Sequence, residues 1–243
     1  MIKIKLPTEQ PRRDLSKTHI DVFRIPMYTF KFPDHDKYVD GWKKYNDEYQ
    51  HYIVSRDSNV SLSLPNFHKK DEWAPLTKFF RECIEEVKTE LKFDFETDIT
   101  SMWSTIQYNG GYHHMHTHRN CMFVGTYYLY SDVEDARGTL FHNAMSDFTI
   151  FRNGGFYGNN GKGVSLEDME KTSWFDHTHH ITFEPGKLVL YPGWMRHSGV
   201  AHPGHNRQIV AFNVMPIGHM DKDPYQRYFY TDFRDLVMPY DDK

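Results

Sequence analysis

The period of the apolar positions changes near residue 98. Before it, Val39, Trp42, Tyr45, Tyr49 and Ile53 recur three or four apart and predict a helix over 35–53. A second helix is predicted over 74–92, where Leu76, Phe79, Phe80, Cys83, Ile84, Val87 and Leu91 form one stripe and Pro75 sits in the first turn. On that stripe Cys83 reads as core filling, because free cysteine packs as a small hydrophobe. Ahead of both, "IDVFRIPMYTFKF" (20–32) alternates and is rich in β-branched and aromatic residues, which predicts a strand.

From residue 98 the runs are short, apolar or alternating, and punctuated by Gly, Pro and Asn. "DITSMWSTIQYN", "CMFVGTYYLYS", "GTLFHN", "HITFEP", "KLVLYP" and "RQIVAFNVMP" predict the strands of an antiparallel barrel or sandwich. Between the third and fourth runs lies 142–180, with the Gly/Asn-rich "NGGFYGNNGKG", a long loop of the kind that is either a functional lid or disordered. No repeat and no linker breaks the chain. The expectation is one domain over 1–243: strand and supporting helices in 1–97, β-core in 98–216 with the 142–180 insertion, and an aromatic tail in 217–243. That tail could pack on the barrel or on a second copy of the chain in a homodimer.

Composition adds limits. With 39% hydrophobic and 16% aromatic residues in 243, the chain can bury a core and is not of the disordered class. The net charge is −4 and no run of Lys/Arg exceeds two, which argues against a dedicated nucleic-acid surface, though not against a nucleobase as substrate. Two cysteines, Cys83 and Cys121, are too few for a disulfide framework and suggest a reducing compartment. The first residues lack the apolar core of a signal peptide, and no 18-residue apolar run exists, so the expectation is a cytoplasmic protein with no membrane partner.

The unusual feature is 16 histidines, all but four of them after residue 100, with four crowded into "YNGGYHHMHTHRN". Residues i and i+2 of a strand share a face, so an H-x-H pair can chelate one ion with a third ligand from a distant strand. The spacing leaves three local choices: His114 with His116, His116 with His118, or His113 with His116 across a turn. His197, in "PGWMRHSGV", follows a strand and a tight turn and suits a third ligand. Imidazole serves Zn, Cu, Fe and Ni alike, so ligand type does not name the ion. Arg207 opens an apolar strand ten residues after His197.

The segments "MWSTIQYNGGYHHMHTH", "GTYYLYSDVEDARGTLFHN", "PGKLVLYPGWMRHSGVAHPG" and "RQIVAFNV" resemble the Fe(II)/2-oxoglutarate-dependent dioxygenase superfamily, in the branch with an HxH…H metal motif. The resemblance covers residues 98–215. It implies a double-stranded β-helix (jelly-roll) core within a mainly β chain with N-terminal helices. It also implies a non-haem Fe(II) enzyme, a hydroxylase, that converts 2-oxoglutarate and O2 to succinate and CO2. On this resemblance His116, His118 and His197 hold the iron, and Arg207 binds the far carboxylate of 2-oxoglutarate, to which a planar guanidinium is matched. Tyr128 is implied as a second contact to that co-substrate, while Tyr127 points the other way and packs. Trp103 and Trp194 are expected as wall or core residues, His113 and His114 as bystanders, and His142 and 177–180 as residues bordering the loop.

Two positions depart from the superfamily pattern. His118 stands where a carboxylate is usual, leaving the site one charge more positive. Many members also place a serine two residues after the arginine, on the same carboxylate; here that position is Ile209, so another hydroxyl must serve or binding is weaker. The alternatives are a cupin-like three-histidine dioxygenase that needs no 2-oxoglutarate, or a non-catalytic metal- or ligand-binding barrel. No motif chooses among a peptide, a small molecule and a nucleobase as substrate.

Overall fold

Strand alternation in this chain serves two layers at once: one face of a large sheet packs on helices and the other looks into a barrel. The computed structural model describes residues 25–49, 51–55, 59–134, 136–143, 178–219 and 230–231. In chain order these form β1 (Tyr28–Lys31), α1 (His35–Glu48), β2 (His51–Ser55), β3 (Val60–Ser63), α2 (Ala74–Leu91), β4 (Glu96–Gln107), β5 (His113–His116), β6 (Phe123–Ser131), β7 (Arg137–His142), β8 (Thr178–Thr182), β9 (Lys187–Pro192), β10 (His197–Gly199), β11 (Arg207–His219) and β12 (Tyr230–Thr231). The larger sheet runs β1-β9-β6-β11-β4-β3-β2, with β12 on β11, and the smaller runs β5-β10-β7-β8. Every pairing between these strands is antiparallel. Strands β9, β6, β11 and β4 of the large sheet and the four of the small one make the double-stranded β-helix.

The two-residue period decides which side chain does what. On β11, Val210, Phe212 and Val214 join Leu76, Phe80, Ile84 and Trp42 of the helices in one buried cluster. Ile209 and Ala211, on the other face, wall the barrel cavity. On β6, Tyr127 packs with the helices while Tyr128 belongs to the inner cluster with Phe141, Phe183 and Val189. α1 is pinned to the back of β11 through Gln208, which is fully buried and bonded to Asn46 at 3.0 Å and Asp47 at 2.8 Å.

One close approach in this interface is testable. Gly125 lies opposite Phe212 in the β6–β11 register, and a Cβ at 125 would fall 2.0 Å from Phe212 Cζ. Phe212 cannot yield freely, because its ring is stacked on Phe80 at 4.3 Å. Gly125→Ala is expected to destabilise the fold toward the upper end of about 1–3 kcal/mol, the usual range for overpacking. Urea unfolding would show it as a lower midpoint at unchanged slope.

The helix over 74–92 is found at Ala74–Leu91, ended by Lys92 in the left-handed region (φ 58°). The helix over 35–53 stops at Glu48: Tyr49 is extended, its ring packs on Tyr45 and Phe67, and 51–55 pairs with β3. The run "HYIVS" is a better strand than helix, and sheet pairing overrides the helical spacing there. Of 20–32 only Tyr28–Lys31 is a strand, with 20–24 outside the described residues. Most of the 142–180 segment is also outside them, but its end is not loop. Thr178–Thr182 pairs with β7, so His179 and His180 stand on a strand. Among the described residues no helix is long and apolar enough to cross a membrane.

Candidate metal centre and its cavity

The lead-in to the histidine-rich segment is held by backbone. Gly110 adopts φ +72°, a conformation that suits glycine, and its N–H donates to the carbonyl of His202 at 2.8 Å. The His202 N–H donates back to Gly111 O at 2.8 Å, which ties the start of β5 to the loop after β10. Antiparallel pairing then sets His116 directly opposite His197, so the two side chains share a face. His118 lies two residues beyond His116, past the end of β5, and is fixed by its N–H bond to Gly193 O at 2.9 Å.

The result is a convergent trio. The ring centroids of His116 and His197 are 4.3 Å apart, and that of His118 lies 5.2 Å from the first and 5.1 Å from the second. Their ligand nitrogens all fall within 4.8 Å of one another and could hold one metal ion. Each ring spends its other nitrogen on an acceptor. Nδ1 of His116 is 2.7 Å from His114 O, that of His197 is 2.9 Å from Met195 O, and that of His118 is 2.6 Å from Asn213 Oδ1. An amide or carbonyl oxygen can only accept, so Nδ1 carries the hydrogen in all three rings and Nε2 presents a lone pair. Hydrogen bonding of this kind orients metal-binding histidines and makes them better donors. Burial, together with the charge of His116, pushes His197 down to about 3. Burial also lowers His118. At neutral pH these two rings are therefore uncharged, as coordination requires.

The neighbours fall outside the trio. His113 walls the cavity with its ring 5.0 Å from that of His116, and burial lowers it to about 4, but its nitrogens are not among the convergent ones. His114 is exposed against Tyr112. His142 binds Ser198 Oγ at 3.1 Å, His179 and His180 are exposed, and His177 is outside the described residues. Trp103 stacks on His118 at 5.8 Å and walls the cavity. Trp194 is 56% exposed and is neither wall nor core. Cys121 donates to Asn213 Oδ1 at 3.5 Å, and its sulfur is not among the convergent ligand atoms.

Below the trio the cavity continues between the sheets, walled by Trp103, Thr105 and Gln107 of β4, Thr126 of β6, Thr139 of β7 and Ile209 and Ala211 of β11. Arg207 closes this inner end from behind. It is 2% exposed and directs Nε to Gln107 Oε1 at 2.6 Å, Nη2 to Val200 O at 2.6 Å and Nη1 to the carbonyl of Arg137. Burial lowers its guanidinium to about 10, so it stays charged at neutral pH. Its hydrogen-bond partners among the described residues are all neutral, and a buried cation so placed suits an anionic ligand. Arg207 does not itself wall the cavity; Gln107, its partner, does. Tyr128, 1% exposed, donates to Thr139 Oγ1 and accepts the Thr139 N–H, both at 3.0 Å. Tyr127 instead bonds His35 Nδ1 at 2.6 Å on the helix side.

Asn213, Gln107 and Thr139 were not anticipated from sequence as contributors. Asn213 did carry a signal, since it lies in the segment "RQIVAFNV" that resembles the superfamily; Gln107 and Thr139 carried none.

Residues 101–213 match the model of the family described as "Putative 2OG-Fe(II) oxygenase". Comparison with curated proteins gave no match. Among solved structures, a Pseudomonas putida prolyl-4-hydroxylase superposes with TM-score 0.54 at 11% identity, over 78% of this chain and 92% of that one. HygX from Streptomyces hygroscopicus, with nickel and 2-oxoglutarate bound, gives TM-score 0.52 at 8% identity, over 79% and 83%. The α-ketoglutarate-dependent epimerase SnoN from nogalamycin biosynthesis gives TM-score 0.56 at 8% identity, over 79% of each chain. At such identities the likeness is one of fold, and the family match adds the chemistry. Over residues 101–213 this chain is similar to the 2OG-Fe(II) oxygenases, dioxygenases whose metal is Fe(II) and whose co-substrate is 2-oxoglutarate.

Proposed function

We propose that the chain is a single-domain hydroxylase in which His116, His118 and His197 hold Fe(II) through Nε2 and Arg207 receives the distal carboxylate of 2-oxoglutarate. The observation that carries the reading is the shared tautomer: three Nδ1–H groups bonded outward, three Nε2 atoms turned to one point. When bound, Fe(II) and 2-oxoglutarate supply oxidative decarboxylation to succinate and CO2, coupled to hydroxylation of a substrate C–H bond. The protein's part is position and charge. Asn213 keeps His118 in register where the superfamily usually has a carboxylate, so the three protein ligands bring no negative charge of their own. An anionic co-substrate is then favoured at both of its ends, by the metal and by Arg207. Tyr128 holds Thr139 in place at the inner wall and lies near enough to Arg207 for its hydroxyl to feel the charge. SnoN has been crystallised with Fe3+ and α-ketoglutarate and HygX with nickel and 2-oxoglutarate, which supports the same pair of ligands in this fold.

The test is spectroscopic. Fe(II) and 2-oxoglutarate added to the apoprotein without oxygen should give a visible metal-to-2-oxoglutarate charge-transfer band. Its absence at high 2-oxoglutarate defeats the reading and leaves the cupin-like or non-catalytic barrel. With the band established, succinate release screened against peptides, small molecules and nucleobases identifies the substrate class.

A further inference from the structure

The polar groups of the cavity wall are mostly committed. Gln107 is bonded to Arg207, Thr126 to Tyr191 at 3.1 Å, Thr139 to Tyr128 at 3.0 Å and Ser198 to His142 at 3.1 Å. Thr105 is not. It is 1% exposed, it walls the cavity, and among the described residues its buried Oγ1 has no hydrogen-bond partner. A buried hydroxyl left unpaired is costly, and one that faces a binding cavity is accounted for by the ligand that fills it.

Its place along the strand says which part of a ligand it meets. Trp103, Thr105 and Gln107 form one row on β4, paired with Ala211, Ile209 and Arg207 on β11. The Trp103 end of the row touches the metal trio through its stack on His118, and the Gln107 end touches Arg207. At about 3.3 Å per residue, Thr105 stands one side-chain step, about 6.6 Å along the strand, from each end. Its facing partner, Ile209, offers no polar atom.

We propose that Thr105 donates its Oγ1–H to the distal carboxylate of 2-oxoglutarate, beside Arg207, replacing from the neighbouring strand the hydroxyl that Ile209 lacks. The inference rests on the co-substrate reading above. A hydroxyl donating to a carboxylate makes a charge-assisted bond, stronger than a neutral one, and it fixes the orientation of a group that Arg207 alone would hold only by its fork.

The charge-transfer band, titrated with 2-oxoglutarate under anaerobic Fe(II), gives the dissociation constant without turnover. Thr105→Val, which keeps the shape and removes the hydroxyl, should weaken 2-oxoglutarate about ten-fold or more. Thr105→Ser should stay near wild type, and Ile209→Ser in the Thr105→Val background should recover part of the loss. 2-Oxobutyrate keeps the oxo-acid end but has no distal carboxylate, so wild type and Thr105→Val should bind it equally. Unchanged 2-oxoglutarate affinity in Thr105→Val, or an equal loss for both acids, overturns the proposal. A wild-type protein that gives no band at all fails at the earlier step, the co-substrate reading itself.

Discussion

His197→Ala is expected to abolish Fe(II) binding and, with it, the anaerobic 2-oxoglutarate band. His197 is the most buried of the trio at 5% exposed, and the small sheet holds it on both sides, by β5 and by β7. With it gone, two nitrogens remain, on the short stretch from His116 to His118, and a cavity that supplies no carboxylate in compensation. Loss of a partner that merely orients a ligand costs about 10–100-fold in metal affinity, so loss of the ligand itself is expected to cost at least about 100-fold. A thermal readout is independent of the band. Metal that binds only the folded chain raises its stability by about 2.7 kcal/mol at a hundred times Kd. Wild type should therefore melt higher with Fe(II), while His197→Ala should melt at the same temperature with or without it. His116→Ala and His118→Ala are expected to behave alike, whereas His113→Ala and His114→Ala should keep the band. If His114→Ala loses the metal and His118→Ala keeps it, the ligand pair is displaced by two residues.

The fold was legible where alternation had two buried faces to serve. β4, β6 and β11 are long, and their odd and even positions each meet a packed layer, so the pattern is strong in sequence. β10 is three residues, "HSG", and β5 is "HHMH"; neither carries an apolar period, and both exist because backbone pairing recruits them beside longer strands. The 35–53 pattern misled for a related reason. Tyr45 and Tyr49 do stack on each other at 5.3 Å, as helix neighbours would, yet the chain has already turned extended at Tyr49. The site divides in the same way. His197 and Arg207 are distinctive residue types at a distinctive separation and could be singled out. Thr105 could not, because threonine is an ordinary strand former and its importance depends on which cavity the strand faces and on which neighbours are already bonded.

Arg207→Ala carries the second large effect, and it has two parts that separate experimentally. The guanidinium is a structural cross-link as well as a charge, since it joins β11 to Gln107 of β4, to the carbonyl of Arg137 on β7 and to that of Val200 after β10. Truncation leaves these acceptors buried and unpaired at about 1–3 kcal/mol each, so a loss of roughly 3 kcal/mol or more is expected in urea unfolding. That part is the same with or without ligand. The second part is binding: the band with 2-oxoglutarate should vanish at concentrations that saturate wild type, while 2-oxobutyrate, which has nothing to offer Arg207, should still give one below the melting temperature. Arg207→Lys keeps the charge but not the planar fork, and should restore 2-oxoglutarate binding only in part. A band of wild-type affinity in Arg207→Ala would remove Arg207 from the co-substrate site and leave it as a cross-link between the sheets. The separation of the two losses matters because a buried arginine with only neutral partners is what either role alone would produce; only the response to the distal carboxylate distinguishes a residue that holds the barrel from one that also holds its ligand.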